Sequence, residues 1–133
     1  NDWGVGMTHG LTYGYDAFRN PQRFWDHLDQ VKARENEIWV GTFREVVSYI
    51  KEREETKLEV VNKKNTLLIA PELKLDQELF VEPLTMVITG KEIKKVTVKQ
   101  GKRRLPVQIT DDKVLFDFDP YGGMIKVTLK IQK

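Results

Sequence analysis

The chain contains no cysteine. That excludes disulfides, thiolate metal sites and a cysteine nucleophile together. Histidine is scarce as well, with His9 and His27 the only two, so a metal centre built on several imidazoles is excluded too. Apolar runs stop at four or five residues, too short for a membrane helix. Neither sign of charge dominates: Lys and Arg number 22 and Asp and Glu 20, a net +2 with both signs mixed along the chain. Charge therefore gives no argument for nucleic-acid binding. What is present is globular in kind. Hydrophobic residues make up 40% and charged residues 32% of 133, enough for one ordinary domain or two small ones. The chain begins Asn1-Asp2-Trp3-Gly4, with no Met, charged n-region or apolar h-region, and reads as a processed product, an engineered boundary or a fragment.

The character of the sequence changes near residue 56. All three Trp (Trp3, Trp25, Trp39), both His and most helix-like patterning precede that point. Trp3–Thr8 is expected to be a short buried strand, and His9-Gly10 opens a loop holding Tyr13, Gly14 and Tyr15. Asn20 before Pro21 is a helix N-cap with proline at the first turn. Phe24, Trp25, Leu28 and Val31 then follow helical spacing, as an apolar face. Ile38-Trp39-Val40 is a strand or an extended connector. Thr42 and Glu45 form a capping box for a second helix, expected to bury Phe43, Val46, Val47 and Ile50. The charged run Lys51 to Glu55 reads as a solvated end.

After residue 56 the pattern changes to period two. Ile125, Val127, Leu129 and Ile131 share one strand face, and Val96 and Val98 alternate with lysines. Asp119-Pro120-Tyr121-Gly122-Gly123, Gln100-Gly101-Lys102 and Asp111-Asp112-Lys113 are turn signals. About seven short strands result, over 58–61, 66–70, 84–89, 93–99, 105–110, 114–118 and 124–131, which suggests a small antiparallel β-sandwich.

Few residues can carry chemistry. His9, at the end of the first expected strand, is placed for general acid–base work. Tyr13 and Tyr15 in the same Gly-containing loop are the better placed of the aromatic residues for ligand contact. His27, Trp25 and Trp39 read more simply as helix and core residues. Lys102-Arg103-Arg104 is a solvated turn or a guarded sheet edge, and Thr110-Asp111-Asp112 a solvated turn.

The ordered segments W-G-V-G-M-T-H-G-L, G-Y-D-A-F, F-W-D-H-L and I-W-V-G-T-F-R-E-V-V, over roughly residues 3–53, resemble the last stretch of the polysaccharide deacetylase family. These are metal-dependent carbohydrate esterases with the NodB-homology fold, a distorted (β/α) barrel. Thr8-His9-Gly10 matches the strand-end His-Gly pair of the family, which implies that His9 is the general acid assisting the departing sugar amine or alcohol. Glu82-Pro83-Leu84-Thr85 and Asp119–Gly123 resemble, more loosely, β-sandwich modules that follow some deacetylase domains. The family also binds a divalent metal such as zinc through an Asp and an H-x-x-x-H-type motif, and takes its base from a T-F-D-D-type motif. Neither motif stands in this chain, so no metal or other cofactor is expected in it.

The expectation is an α+β chain. Residues 1–55 would be a strand and helix remnant of a barrel, packed on a β-sandwich of residues 56–133. The function implied is that of the C-terminal part of a polysaccharide deacetylase-like hydrolase, inactive as this isolated chain. The alternative is a non-catalytic carbohydrate-binding or interaction module. Expected partners are a polysaccharide or oligosaccharide and a second copy of the chain, without nucleic acid or membrane. The resemblance implies a secreted or periplasmic setting.

Overall fold

A computed structural model describes residues 3–90, 93–110 and 112–131. The chain is α+β and divides into two compact units, residues 1–40 and residues 41–133.

In the first unit, helix α1 spans Pro21–Lys32. Its start is as read from sequence: the Asn20 side chain accepts from the Gln22 N–H at 3.0 Å, and Pro21, lacking an N–H, leaves no donor to satisfy. The strand expected over Trp3–Thr8 does not form. Gly4 and Gly6 are exposed, and a Cβ added at either would meet nothing within 4 Å. Ile38–Val40 forms no strand and connects the end of α1 to residue 41. The apolar stripe of α1 is present but not fully covered: none of the described residues of 3–40 is buried, and Trp25 and Trp39, expected in a core, are about half exposed. An amphipathic helix gains its stability from a surface that buries its stripe, and this unit covers it only in part, with Phe24 and Val31 half-buried and the Phe18 ring centroid 5.4 Å from that of Phe24.

The second unit opens with helix α2, Phe43–Glu55, capped by the expected box. The Thr42 N–H donates to Glu45 Oε2 at 2.6 Å and the Glu45 N–H to Thr42 Oγ1 at 3.3 Å. The strands are β1 (Lys57–Lys63), β2 (Thr66–Glu72), β3 (Leu84–Thr89), β4 (Ile93–Gln100), β5 (Arg103–Leu105), β6 (Gln108–Ile109), β7 (Lys113–Phe118) and β8 (Ile125–Ile131). They form a five-stranded sheet in the order β1-β2-β8-β4-β5 and a three-stranded sheet in the order β3-β7-β6, antiparallel throughout. The single strand expected over 105–110 is two, because Pro106 lacks the N–H a continuous ladder needs.

One apolar cluster draws on both sheets. Val96, Val98, Ile125 and Val127 come from the larger sheet and Leu84, Val114, Phe116 and Phe118 from the smaller. These are the alternate positions that period two selects. The side chain of Ile131, expected on the same face, lies outside what is described, as does Asp111 in the expected turn.

The face that α2 buries corrects the expectation. Phe43 is 64% exposed and Val47 faces outward, while Ser48 and Glu52 are buried and Tyr49 packs against the core cluster. The helix is turned to its Ser48–Tyr49–Glu52 side because the Tyr49 ring reaches the core and the Glu52 carboxyl meets the backbone ahead of β3. Among the described residues no helix is long and apolar enough to cross a membrane.

Candidate functional site

In the first unit the residues singled out from sequence gather on one loop, 8–16. Thr8 fastens it. The Thr8 hydroxyl lies 2.8 Å from Gly10 O and 3.2 Å from Asp16 O, and accepts from the Gly10 N–H at 3.4 Å. One side chain thus ties the start of the loop to its end. Gly10 has no room for a side chain, since a Cβ there would stand 2.3 Å from Tyr13 O. Gly14 takes a φ of 113°, which side chains disfavour.

The loop presents its rings to solvent. The His9 imidazole is exposed, and its centroid lies 6.0 Å from that of Tyr15, the planes tilted by 56°. Tyr13 is 88% exposed and Tyr15 78%. An accessible imidazole beside an accessible phenol can exchange a proton with, and stack on, a ligand from solvent. His27 projects from α1, exposed, with no role in this loop. A separate groove of about 660 Å³ runs along the end of α1, walled by Leu28, Val31, Ile38 and Trp39.

Among the described residues no three of His, Asp and Glu come together as a metal site. The donor set around His9 does not fit the divalent ion that the family resemblance implies.

The second unit holds what the sequence did not reveal. Glu52, read as part of a solvated charged run, is fully buried. Its Oε1 accepts from the Glu82 N–H at 3.1 Å, while Oε2 is buried without a hydrogen-bond partner. Burial pushes its carboxyl above the ordinary value of 4.5, and the nearby Glu82 and Asp119 charges push the same way against the pull of the Glu82 N–H. Close by, the Tyr121 hydroxyl donates to Leu75 O at 3.1 Å, and burial raises that phenol, with Glu52, Asp76 and Asp119 adding to the effect. The only sequence signal for Glu52 is its i,i+4 spacing from Ser48, which is too ordinary to single it out. A second groove, about 670 Å³, opens between β5 and β7, with Leu105, Pro106 and Phe116 as apolar wall and Arg103 and Asp117 as polar rim.

No family model, curated protein or solved structure matches the chain.

Proposed function

We propose that this chain is the C-terminal part of a polysaccharide deacetylase-like hydrolase, with residues 1–55 a barrel remnant and residues 56–133 a β-sandwich accessory module. The observation that carries the reading is the loop at 8–16, which holds an exposed imidazole beside an exposed tyrosine ring. His9 would give its proton to the sugar oxygen or nitrogen that departs as the acetyl group is removed. Tyr13 and Tyr15 would lie against the apolar C–H faces of neighbouring sugar rings. The absence of any buried residue among those described in 3–40 is what a barrel fragment without its other strands would display. The single cluster drawn from both sheets supports the sandwich.

General acid assistance contributes about 10²–10⁴-fold. With neither the family's base nor its metal ligands in the sequence, His9 has little to assist, and the isolated chain is expected to be inert. The reading also carries a homodimer, which would cover half-exposed Trp25, Leu28 and Trp39, and a secreted or periplasmic setting. The reading frame upstream of the Asn1 codon tests the proposal. In-frame T-F-D-D-type and H-x-x-x-H motifs are expected there; an upstream frame without them contradicts it.

The exposure of Tyr13 and Tyr15 also favours a second reading, a carbohydrate-binding module that works without metal. Binding of a glycan panel that is unchanged by chelator, with no deacetylase motifs upstream, selects this one.

A further inference from the structure

Glu52 is the one charged side chain of the Lys51–Glu55 run that the fold takes out of water. Its surroundings are poor for an anion on four counts. The residue is 0% exposed, and one carboxyl oxygen has no hydrogen-bond partner. It stands in the last turn of α2, where the unpaired carbonyl ends of the helix disfavour negative charge. Among the described residues no Lys or Arg forms an ion pair with it. The ionisable groups facing it from the packed segments are Glu82, ahead of β3, and Asp119 and Tyr121, in the turn after β7, with Asp76 beyond Tyr121. On its own helix, neighbouring Lys51 lies over the Phe80 ring at 5.0 Å. A buried carboxyl so placed is far better tolerated neutral than charged.

The same side chain is a tie between α2 and the sheets. Its bond to the Glu82 N–H spans thirty residues of chain, and Thr56 closes the helix end by donating its N–H at 2.9 Å and its hydroxyl at 2.6 Å to Glu52 O. We propose that Glu52 is a proton-held latch for α2: the helix seats most firmly while this carboxyl carries its proton, and loosens when the proton leaves. The inference is independent of the deacetylase reading.

The linkage has a definite sign. A carboxyl that holds its proton more tightly in the seated state than in the loosened one favours seating most at low pH. That preference falls as pH rises from the ordinary carboxyl value of 4.5 toward the seated-state midpoint, and levels off above it.

The test is carboxyl NMR of the full chain with ¹³C-labelled glutamate, together with amide exchange of α2 across pH, in the wild type and in Glu52→Gln. The Glu52 resonance is expected to titrate above 4.5. Protection of the amides near Glu52, corrected for intrinsic exchange, should fall by up to about tenfold per pH unit between 4.5 and that midpoint. The β4–β8 ladder should hold steady. Glu52→Gln, neutral at every pH and still able to accept from the Glu82 N–H, should keep α2 protected throughout. A Glu52 midpoint at or below 4.5, wild-type α2 protection that does not change with pH, or a Gln variant with the wild-type pH dependence overturns the latch. If the variant does not fold, the first two readouts on the wild type decide alone.

Discussion

The Gln100 carboxamide holds the backbone of Asp119 from both sides. Its Oε1 accepts from the Asp119 N–H at 3.1 Å and its Nε2 donates to Asp119 O at 2.6 Å, with a further bond to Gly123 O at 3.2 Å. One buried side chain at the end of β4 thereby fixes the turn between β7 and β8, which brings the central strand of the larger sheet into register. The Tyr121 N–H to Asp119 Oδ1 bond at 2.8 Å completes the turn from within.

Gln100→Ala should cost about 1–3 kcal/mol, because it removes three part-buried hydrogen bonds to the turn backbone. Gly122→Ala should also destabilise, since a Cβ there would stand 2.7 Å from the Gln100 carboxamide. The pair should be less than additive, the first change having made room for the second. Urea unfolding of the two single variants and the double variant checks this. Full additivity would mean that the clamp and the glycine act separately.

The capping box predicts a cost of about 1 kcal/mol for Thr42→Ala, read by the same unfolding measurement. Its pH dependence follows from Glu45, whose carboxyl is held below its ordinary value by the Thr42 backbone N–H and then by the Thr42 hydroxyl. The folded state releases this proton more readily than the unfolded one, so the stabilisation is present above the ordinary carboxylate range. It is lost as pH falls through the lowered folded value. Glu45→Ala should therefore lose its difference from wild type in acid.

Tyr121 predicts behaviour at the alkaline end. Tyr121→Phe should cost about 0.5–1.5 kcal/mol through the lost bond to Leu75 O. In the wild type, burial and the surrounding carboxylates raise the phenol above 10.0. Its contribution is full below that value and is lost as pH rises through the folded one. The phenolate absorbance of wild type minus Tyr121→Phe reports that midpoint directly.

Much of the fold was legible from spacing. Asn20-Pro21 and the Thr42–Glu45 pair state where helices begin because caps act within four residues, and alternation marks β4, β7 and β8 because a strand buries every second side chain. What spacing cannot supply is the surface an element meets. The apolar stripe of α1 implies burial only if something covers it, and the face of α2 was set by Tyr49 reaching the core cluster and Glu52 the Glu82 N–H. Trp3–Thr8 has the composition of a strand but forms none. For the candidate site, the sequence identified His9, Tyr13 and Tyr15 as one loop. The fastening by Thr8 and the nearness of the His9 and Tyr15 rings required coordinates.

Loop 8–16 should depend on Gly10 more than on any apolar contact. Gly10→Ala places a Cβ 2.3 Å from Tyr13 O and should separate the His9 and Tyr15 rings while leaving the two sheets folded. Proton NMR reads both effects: the ring contacts between His9 and Tyr15 should vanish, and the shifts of the β4–β8 ladder should stay.

The most direct test of the functional reading is an NMR titration of the chain with an N-acetylated chito-oligosaccharide, following the His9 and Tyr15 ring signals with and without chelator. Shifts at both rings that saturate and are indifferent to chelator, with accompanying Tyr13 ring shifts that are lost in a His9→Ala, Tyr15→Ala variant, are the predicted result. Rings that do not respond at any concentration, or a response confined to residues 41–133, would contradict a sugar site on this loop.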